Sequence, residues 1–217
     1  MPKLRVRSFS VSLDGYAAGP DQSLDNPLGV GGSGLHEWAF ATRAGRSSHG
    51  LEGGEEGVDN RFVAMGEAGI GATIMGRNMF GPVRGPWDGD EWTGWWGDDP
   101  PFHHPVYVLT HHPRPSIVMQ GGTEFHFVDQ GMAAALEQAY EAADGGDVRI
   151  GGGPRTIQQY LGAGLIDDMH LAIVPILLGC GERLFDHLDG GPHGYECVEL
   201  TASASVAHVR FSRSRRL

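Results

Sequence analysis

The chemistry in this chain is concentrated at RIGGGPRTIQQYL, residues 149–161, where three glycines separate an apolar run from an amphipathic stretch. A helix N-terminus presents unpaired N–H groups and a partial positive charge, and a glycine turn lets a phosphate approach both closely. Pro154 suits the first turn of such a helix, because its missing N–H costs nothing there. Glycine also permits a sharp strand-to-helix turn for purely steric reasons. From the three glycines alone, a phosphate cradle and a plain turn are both open. The dinucleotide fingerprint G-x-G-x-x-G is not met, since Gly151 and Gly153 match but the third position is Thr156, and no Gly-Lys-Ser/Thr of a P-loop occurs.

Other reactive side chains fall into groups. Glu182, in LLGCGERLF, follows a strongly apolar run, and ligands gather at the ends of such strands in α/β sheets. Trp92, Trp95 and Trp96 lie in a glycine-rich loop over 81–104, beside Asp88, Asp90, Glu91, Asp98 and Asp99. They are suited to stack on a flat substrate, or to clamp the loop or a dimer contact. The pairs His103-His104 and His111-His112 resemble metal ligands, but adjacent strand residues point to opposite faces. No H-E-x-x-H occurs, and Cys180 and Cys197 cannot supply a P-C-x-x-C zinc-deaminase site, so no metal is expected.

The elements that must position these groups follow from hydropathy. LRVRSFSVSLDG reads as a first strand with Phe9, Val11 and Leu13 on one face, closed by the turn Asp14-Gly15. GLHEWAFATR is a short helix, and 44–57 has the composition of a mobile surface loop. Val58, Phe62 and Met65 mark one helix face, and Met132, Ala135, Leu136, Ala139, Tyr140 and Ala143 mark another. ATIMG, PVYVLT, TEFHFV, DVRIG and MHLAIVPILLG are strands, and YECVELT and SVAHVRFSR form a final pair. Strand and helix alternate in the middle and two strands end the chain. That pattern predicts α/β architecture with a mainly parallel sheet and an antiparallel C-terminal edge, as one domain over 1–217.

Bulk properties narrow the partners. The net charge of −11 argues against a nucleic-acid or anionic-membrane partner. The basic tail RFSRSRRL reads as a solvated terminus. Two cysteines make no disulfide framework, and no apolar run reaches membrane-span length, so a cytoplasmic protein with free thiols is expected.

Taken together, SVSLDGYAAG, ATIMGRNMFG, PVYVLT and VRIGGGPRTIQQYLGAGLIDDMHLAIVPILLGCGERLF resemble, in order and spacing, the dihydrofolate-reductase-like family. The branch is that of stand-alone relatives of the reductase domain of bacterial riboflavin-biosynthesis deaminase–reductases. The resemblance implies a mostly parallel sheet of about eight strands flanked by helices, and hydride transfer from NADPH. It implies that Gly151, Gly152 and Gly153, with Pro154, Arg155 and Thr156, cradle the pyrophosphate, with a cis peptide at Gly151–Gly152. It places Gly76, Arg77 and Asn78 on the adenosine side, and Arg77 offers the guanidinium fork that a 2′-phosphate prefers. Thr110, His111 and His112 fall where the family contacts the adenine ribose. Asp14, in the recurrent Leu-Asp-Gly, and Asp59, one residue before the position of the family's helix carboxylate, join Glu182 as candidate acids. Asp14 has a turn residue as its plainer reading and Asp59 a helix cap. Trp38 falls in the region of the family's mobile active-site loop.

The expected activity is reduction of a small heteroaromatic substrate, pterin- or pyrimidine-like, by a homodimer. A lysine only at Lys3 and an acidic, tryptophan-rich loop favour an aromatic heterocycle over a sugar phosphate. The alternatives are a non-catalytic nucleotide or small-molecule binder, and a flavin- or deazaflavin-using oxidoreductase on the same fold.

Overall fold

The computed structural model describes residues 2–82, 84–87, 89, 91–188 and 194–214, so Asp88, Asp90 and the last three residues lie outside it. Strand β1, Leu4–Ser12, buries Leu4, Val6 and Val11 on one face and Ser10 and Ser12 on the other. A bulge between Val6 and Phe9, with Ser8 at φ 49°, shifts the alternation within it. Leu13 is 66% exposed, so the apolar face read from the sequence stops at Val11. A turn at Asp14-Gly15 leads into β2, Tyr16–Ala18. Helices α1, Glu37–Phe40, and α2, Arg43–Ser47, follow. Helix α2 replaces part of the loop expected over 44–57, because the Thr42 hydroxyl caps it by accepting from Gly45 N–H at 3.0 Å.

Helix α3, Val58–Glu67, packs Phe62 and Gly66 inward and precedes β3, Ile70–Gly76. RNMF, read only as a segment after that strand, forms the short helix α4, Arg77–Phe80. Then come β4, Pro105–Leu109, β5, Ile117–Val118, β6, Glu124–Val128, and α5, Met132–Ala142. Strand β7, Asp147–Gly152, enters α6, Pro154–Gly162. Strand β8, Asp168–Val174, is buried at every position but Ile173, as a central strand must be. The short β9, Glu182–Arg183, pairs with β2, and β10, Tyr195–Ala202, with β11, Ala207–Arg213, closes the chain.

The main sheet has nine strands in the order β10-β11-β8-β1-β7-β3-β4-β6-β5. Pairings from β8 across to β6 are parallel, and both edges are antiparallel: β10 and β11 at one, β5 at the other. The expected eight strands thus gain a short edge strand and the separate β2–β9 pair.

The largest apolar cluster, with Leu4, Val6, Ile74, Ile150, Ile157 and Tyr160, lies where α5 and α6 cover the sheet. A second cluster holds Met75, Phe80, Val106, Val108 and Phe125 with Trp87, Trp92 and Trp96 against it, and a third joins Leu35, Trp38, Val174 and Val206. Cys180 and Cys197 are exposed free thiols. Among the described residues, no helix is long and apolar enough to cross a membrane.

Candidate functional site

Strands β3, β4, β6 and β7 run parallel and end on the same side of the sheet, where their following loops surround a cleft of about 350 Å³. Each segment supplies part of the wall: Gly76, Arg77 and Asn78 after β3, Thr110 and His111 after β4, Asp129 after β6, and Gly153, Arg155 and Thr156 after β7. This is the crevice outside the carboxyl ends of strands in which α/β sheets hold ligands.

The glycine turn is built for close approach. Gly152 has φ 145°, a conformation L side chains rarely adopt, and Gly153 is the residue before the first turn of α6, with Pro154 at its start. A Cβ on Gly76 would lie 2.5 Å from Thr156 Oγ1, so only glycine lets the end of β3 meet the start of α6. Gly153, Arg155 and Thr156, at the start of α6, lie on the cleft wall, where a helix N-terminus favours an anion. The cis peptide joins Gly152 to Gly153, one bond later than expected. Gly152 still pairs with Met75 in the sheet, so the chain leaves the ladder only after it. For the same reason Gly151 and Gly152 shape the turn without lining the cleft.

Arg77 is the cation of the site. All three guanidinium nitrogens are shielded from solvent, and none has a hydrogen-bond partner among the described residues. Burial, with the nearby Arg114 charge, lowers its pKa to about 10. Arg84 and Arg155 also line the cleft, so it is rich in guanidinium groups in a chain with a net charge of −11. Pyrophosphate and phosphate groups fit such walls: glycine backbone at a helix start, flanked by arginines. The residues present therefore suit a phosphorylated dinucleotide.

The three nominated carboxylates separate. Glu182 lines the cleft, and its Oε1 lies 3.3 Å from Arg84 Nη2. Arg84 also reaches Gln22 Oε1 at 3.1 Å. Asp14 does not line the cleft. Its carboxylate accepts from Ser12 Oγ at 2.5 Å, Gly179 N–H at 2.7 Å and Leu178 N–H at 3.2 Å, tying the loop after β8 to the turn after β1. These bonds, Ser12 first, hold its pKa down at about 2, so it is ionised at neutral pH and unsuited to donate a proton. Asp59 faces away from the cleft, accepting from His208 Nε2–H at 2.7 Å and Ser203 Oγ at 3.0 Å. It joins α3 to the C-terminal strands.

The nominated tryptophans are structural in their contacts. Trp38 is 5% exposed, packs with Leu35 and Val174, and donates from Nε1 to Ser10 Oγ at 2.9 Å. Trp92 donates to Phe80 O at 3.0 Å and meets Trp95 edge-on at 4.8 Å, while Trp96 packs on Phe102. None of the four lines this cleft, and Trp92 instead borders, with Arg77 and Trp87, a second cavity of about 370 Å³. Trp87, in the same loop, has its ring centroid 3.2 Å from Arg77 Cζ. Its membership of the aromatic loop was visible in sequence, but its pairing with Arg77 needed the fold. Arg84 also stands on the cleft wall, and no motif around it marks it in the sequence.

Residues 2–208 match the model of the RibD C-terminal domain. The chain belongs to that family. It is an NAD(P)H-dependent reductase. Among solved structures, a candidate riboflavin biosynthesis protein from Shewanella sp. PV-4 superposes with TM-score 0.59 at 24% identity, over 99% of this chain and 100% of that one. The diaminohydroxyphosphoribosylaminopyrimidine deaminase/5-amino-6-(5-phosphoribosylamino)uracil reductase of Thermotoga maritima gives 0.53 at 14% identity, over 98% of this chain and 56% of that one. Dihydrofolate reductase from Enterococcus faecalis, complexed with NADP(H), gives 0.50 at 15%, over 98% and 97%. The fold is thus dihydrofolate-reductase-like. No curated protein matches the sequence.

Proposed function

We propose that the protein reduces a small heteroaromatic compound, pterin- or pyrimidine-like, with NADPH as the hydride donor. The observation that carries the reading is the cleft itself: nine of the residues nominated for the cofactor, from three separate loops, line one space, among them Arg77, whose guanidinium has no hydrogen-bond partner among the described residues. The start of α6 and the Gly152–Gly153 turn receive the pyrophosphate, Thr110 and His111 border the adenosine end, and Arg77 takes the 2′-phosphate that distinguishes NADPH from NADH.

The bound dinucleotide supplies the hydride, while the chain orients it and shields it from water. A ring substrate belongs beyond the glycine turn. There Met79 Sδ would lie 3.0 Å from a Cβ on Gly152, and Phe9 3.6 Å, leaving an apolar boundary for a flat heterocycle. Glu182 is the nominated acid placed to exchange a proton with a ligand in the cleft. The pyrimidine named in the Thermotoga reductase supports this substrate class.

The test is titration of the purified protein with NADPH and NADH, read by nicotinamide fluorescence, with Arg77→Ala alongside. NADPH is expected to bind more tightly, and Arg77→Ala to weaken it by about tenfold or more while leaving NADH nearly unchanged. Failure of both nucleotides to bind would sink the reading.

A further inference from the structure

The Arg77 guanidinium is covered. The Trp87 ring stands over it, with Cζ 3.2 Å from the ring centroid, and among the described residues Nε, Nη1 and Nη2 meet neither solvent nor a hydrogen-bond acceptor. Trp87 is itself pinned. Its Nε1 donates to His112 O at 2.6 Å, Phe80 and Phe127 meet the ring edge-on at 5.8 and 5.3 Å, and Arg114 Cζ stands 4.7 Å from the centroid. A charge held away from water without a partner is costly, and a cation–π contact offsets only part of that cost. A phosphate would supply the charge-assisted hydrogen bonds that Arg77 lacks. To reach the guanidinium it must first move the indole.

We propose that Trp87 is a displaceable cap on the 2′-phosphate subsite, closing Arg77 to free anions and yielding to the 2′-phosphate of a dinucleotide already anchored at the glycine turn. The inference rests on the NADPH reading of the cleft given above. The indole has somewhere to go, because a second cavity of about 370 Å³ borders both Arg77 and Trp87 and is otherwise lined by Leu24, Pro82, Gly89, Glu91 and Trp92. The cap also filters. A phosphate tethered to an anchored ligand acts at a high effective concentration, whereas free phosphate meets the closed ring at its bulk concentration. The cap lowers apparent NADPH affinity by the fraction of molecules in which Arg77 is open. NADH, which has no group for Arg77, does not depend on it.

The experiment is titration of wild type, Trp87→Ala and Trp87→Phe with NADPH and NADH by nicotinamide fluorescence. Tryptophan emission is followed separately during addition of adenosine 2′,5′-bisphosphate or adenosine 5′-phosphate. Trp87→Ala should tighten NADPH by about tenfold and leave NADH within about twofold, with Trp87→Phe between. Wild-type emission should change with the bisphosphate and not with the monophosphate, and that change should vanish in Trp87→Phe. The phenylalanine variant keeps a ring in the packing and serves if the alanine variant does not fold. NADPH affinity unchanged or weakened in both variants overturns the cap while leaving the cofactor reading intact. No binding of either nucleotide by wild type or variants overturns the cofactor reading and the cap with it.

Discussion

His170 Nε2 and His208 Nδ1 stand 3.0 Å apart inside the protein, and their neighbours fix every proton between them. The Ser8 backbone N–H points at His170 Nδ1 at 3.1 Å, so that nitrogen accepts and Nε2 carries the hydrogen. His170 Nε2–H therefore donates to His208 Nδ1, and His208 Nε2–H donates to Asp59 Oδ1. Both imidazoles are neutral, and Asp59 ends the chain as a carboxylate. Phe62 stacks on the two rings at 4.3 and 4.1 Å, which locks α3 to β8 and β11. The carboxylate nearest the family's helix position is thus spent on the fold.

Asp59→Ala should accordingly lower stability and leave turnover largely intact. The variant strands His208 Nε2–H, whose ring is fully buried, at a cost of about 2 kcal/mol. Urea unfolding and steady-state kinetics on one preparation check this. A drop in kcat of several hundredfold with unchanged stability would return Asp59 to the chemistry.

The same chain makes stability fall with acid. Burial, then the charges of His208, Arg7, Arg210 and Arg61, push the His170 pKa down to about 3 from 6.5, and burial lowers that of His208 against the opposing pull of Asp59. Burial, with Arg149, lowers His104 to about 4. Neutral in the folded state and protonated when unfolded, these rings contribute stability above pH 6.5 that is lost as pH falls toward 3. Asp14, at about 2 against an ordinary 3.8, contributes above pH 4 and loses its share as pH falls through 2. The urea midpoint should decline from near pH 6.5 downward. Asp14→Asn should start lower at pH 7 and converge on wild type toward pH 2. A midpoint that rises between pH 7 and 5 would contradict the histidine assignment.

The sheet was legible because its strands are long and apolar: β3, β4, β7 and β8 each carry a run that periodicity alone marks. The two-residue β5 and β9 were not, since so short a pairing leaves no periodic signal. The glycine turn and Arg77 were legible through residue type and their resemblance to a known family. The packing partners of Trp38, Trp92, Trp95 and Trp96 were not legible, because a tryptophan's type indicates neither its face nor its partner. Trp38 is adjacent in sequence to surface residues yet lies under β8 because Ser10 and Val174 come to it from distant segments. The bond of Asp59 was hidden for the same reason: its partner His208 is 149 residues away.

Gly76 and Thr156 set the geometry of the cleft, and their coupling can be measured. Gly76→Ala places a methyl group 2.5 Å from Thr156 Oγ1, a contact that neither the strand end nor the first turn of α6 absorbs without shifting. The expected cost is about 1–3 kcal/mol in stability, with weaker NADPH binding because the N-terminus of α6 is pushed out of line. Thr156→Ala removes the clashing oxygen. In a double-mutant cycle followed by thermal unfolding, Gly76→Ala should therefore cost less in the Thr156→Ala background than in wild type. NADPH titrations of the same four proteins separate restored packing from the ligand contact proposed for Thr156. Stability losses that simply add would mean that the two residues do not touch, and that Gly76 is glycine for another reason.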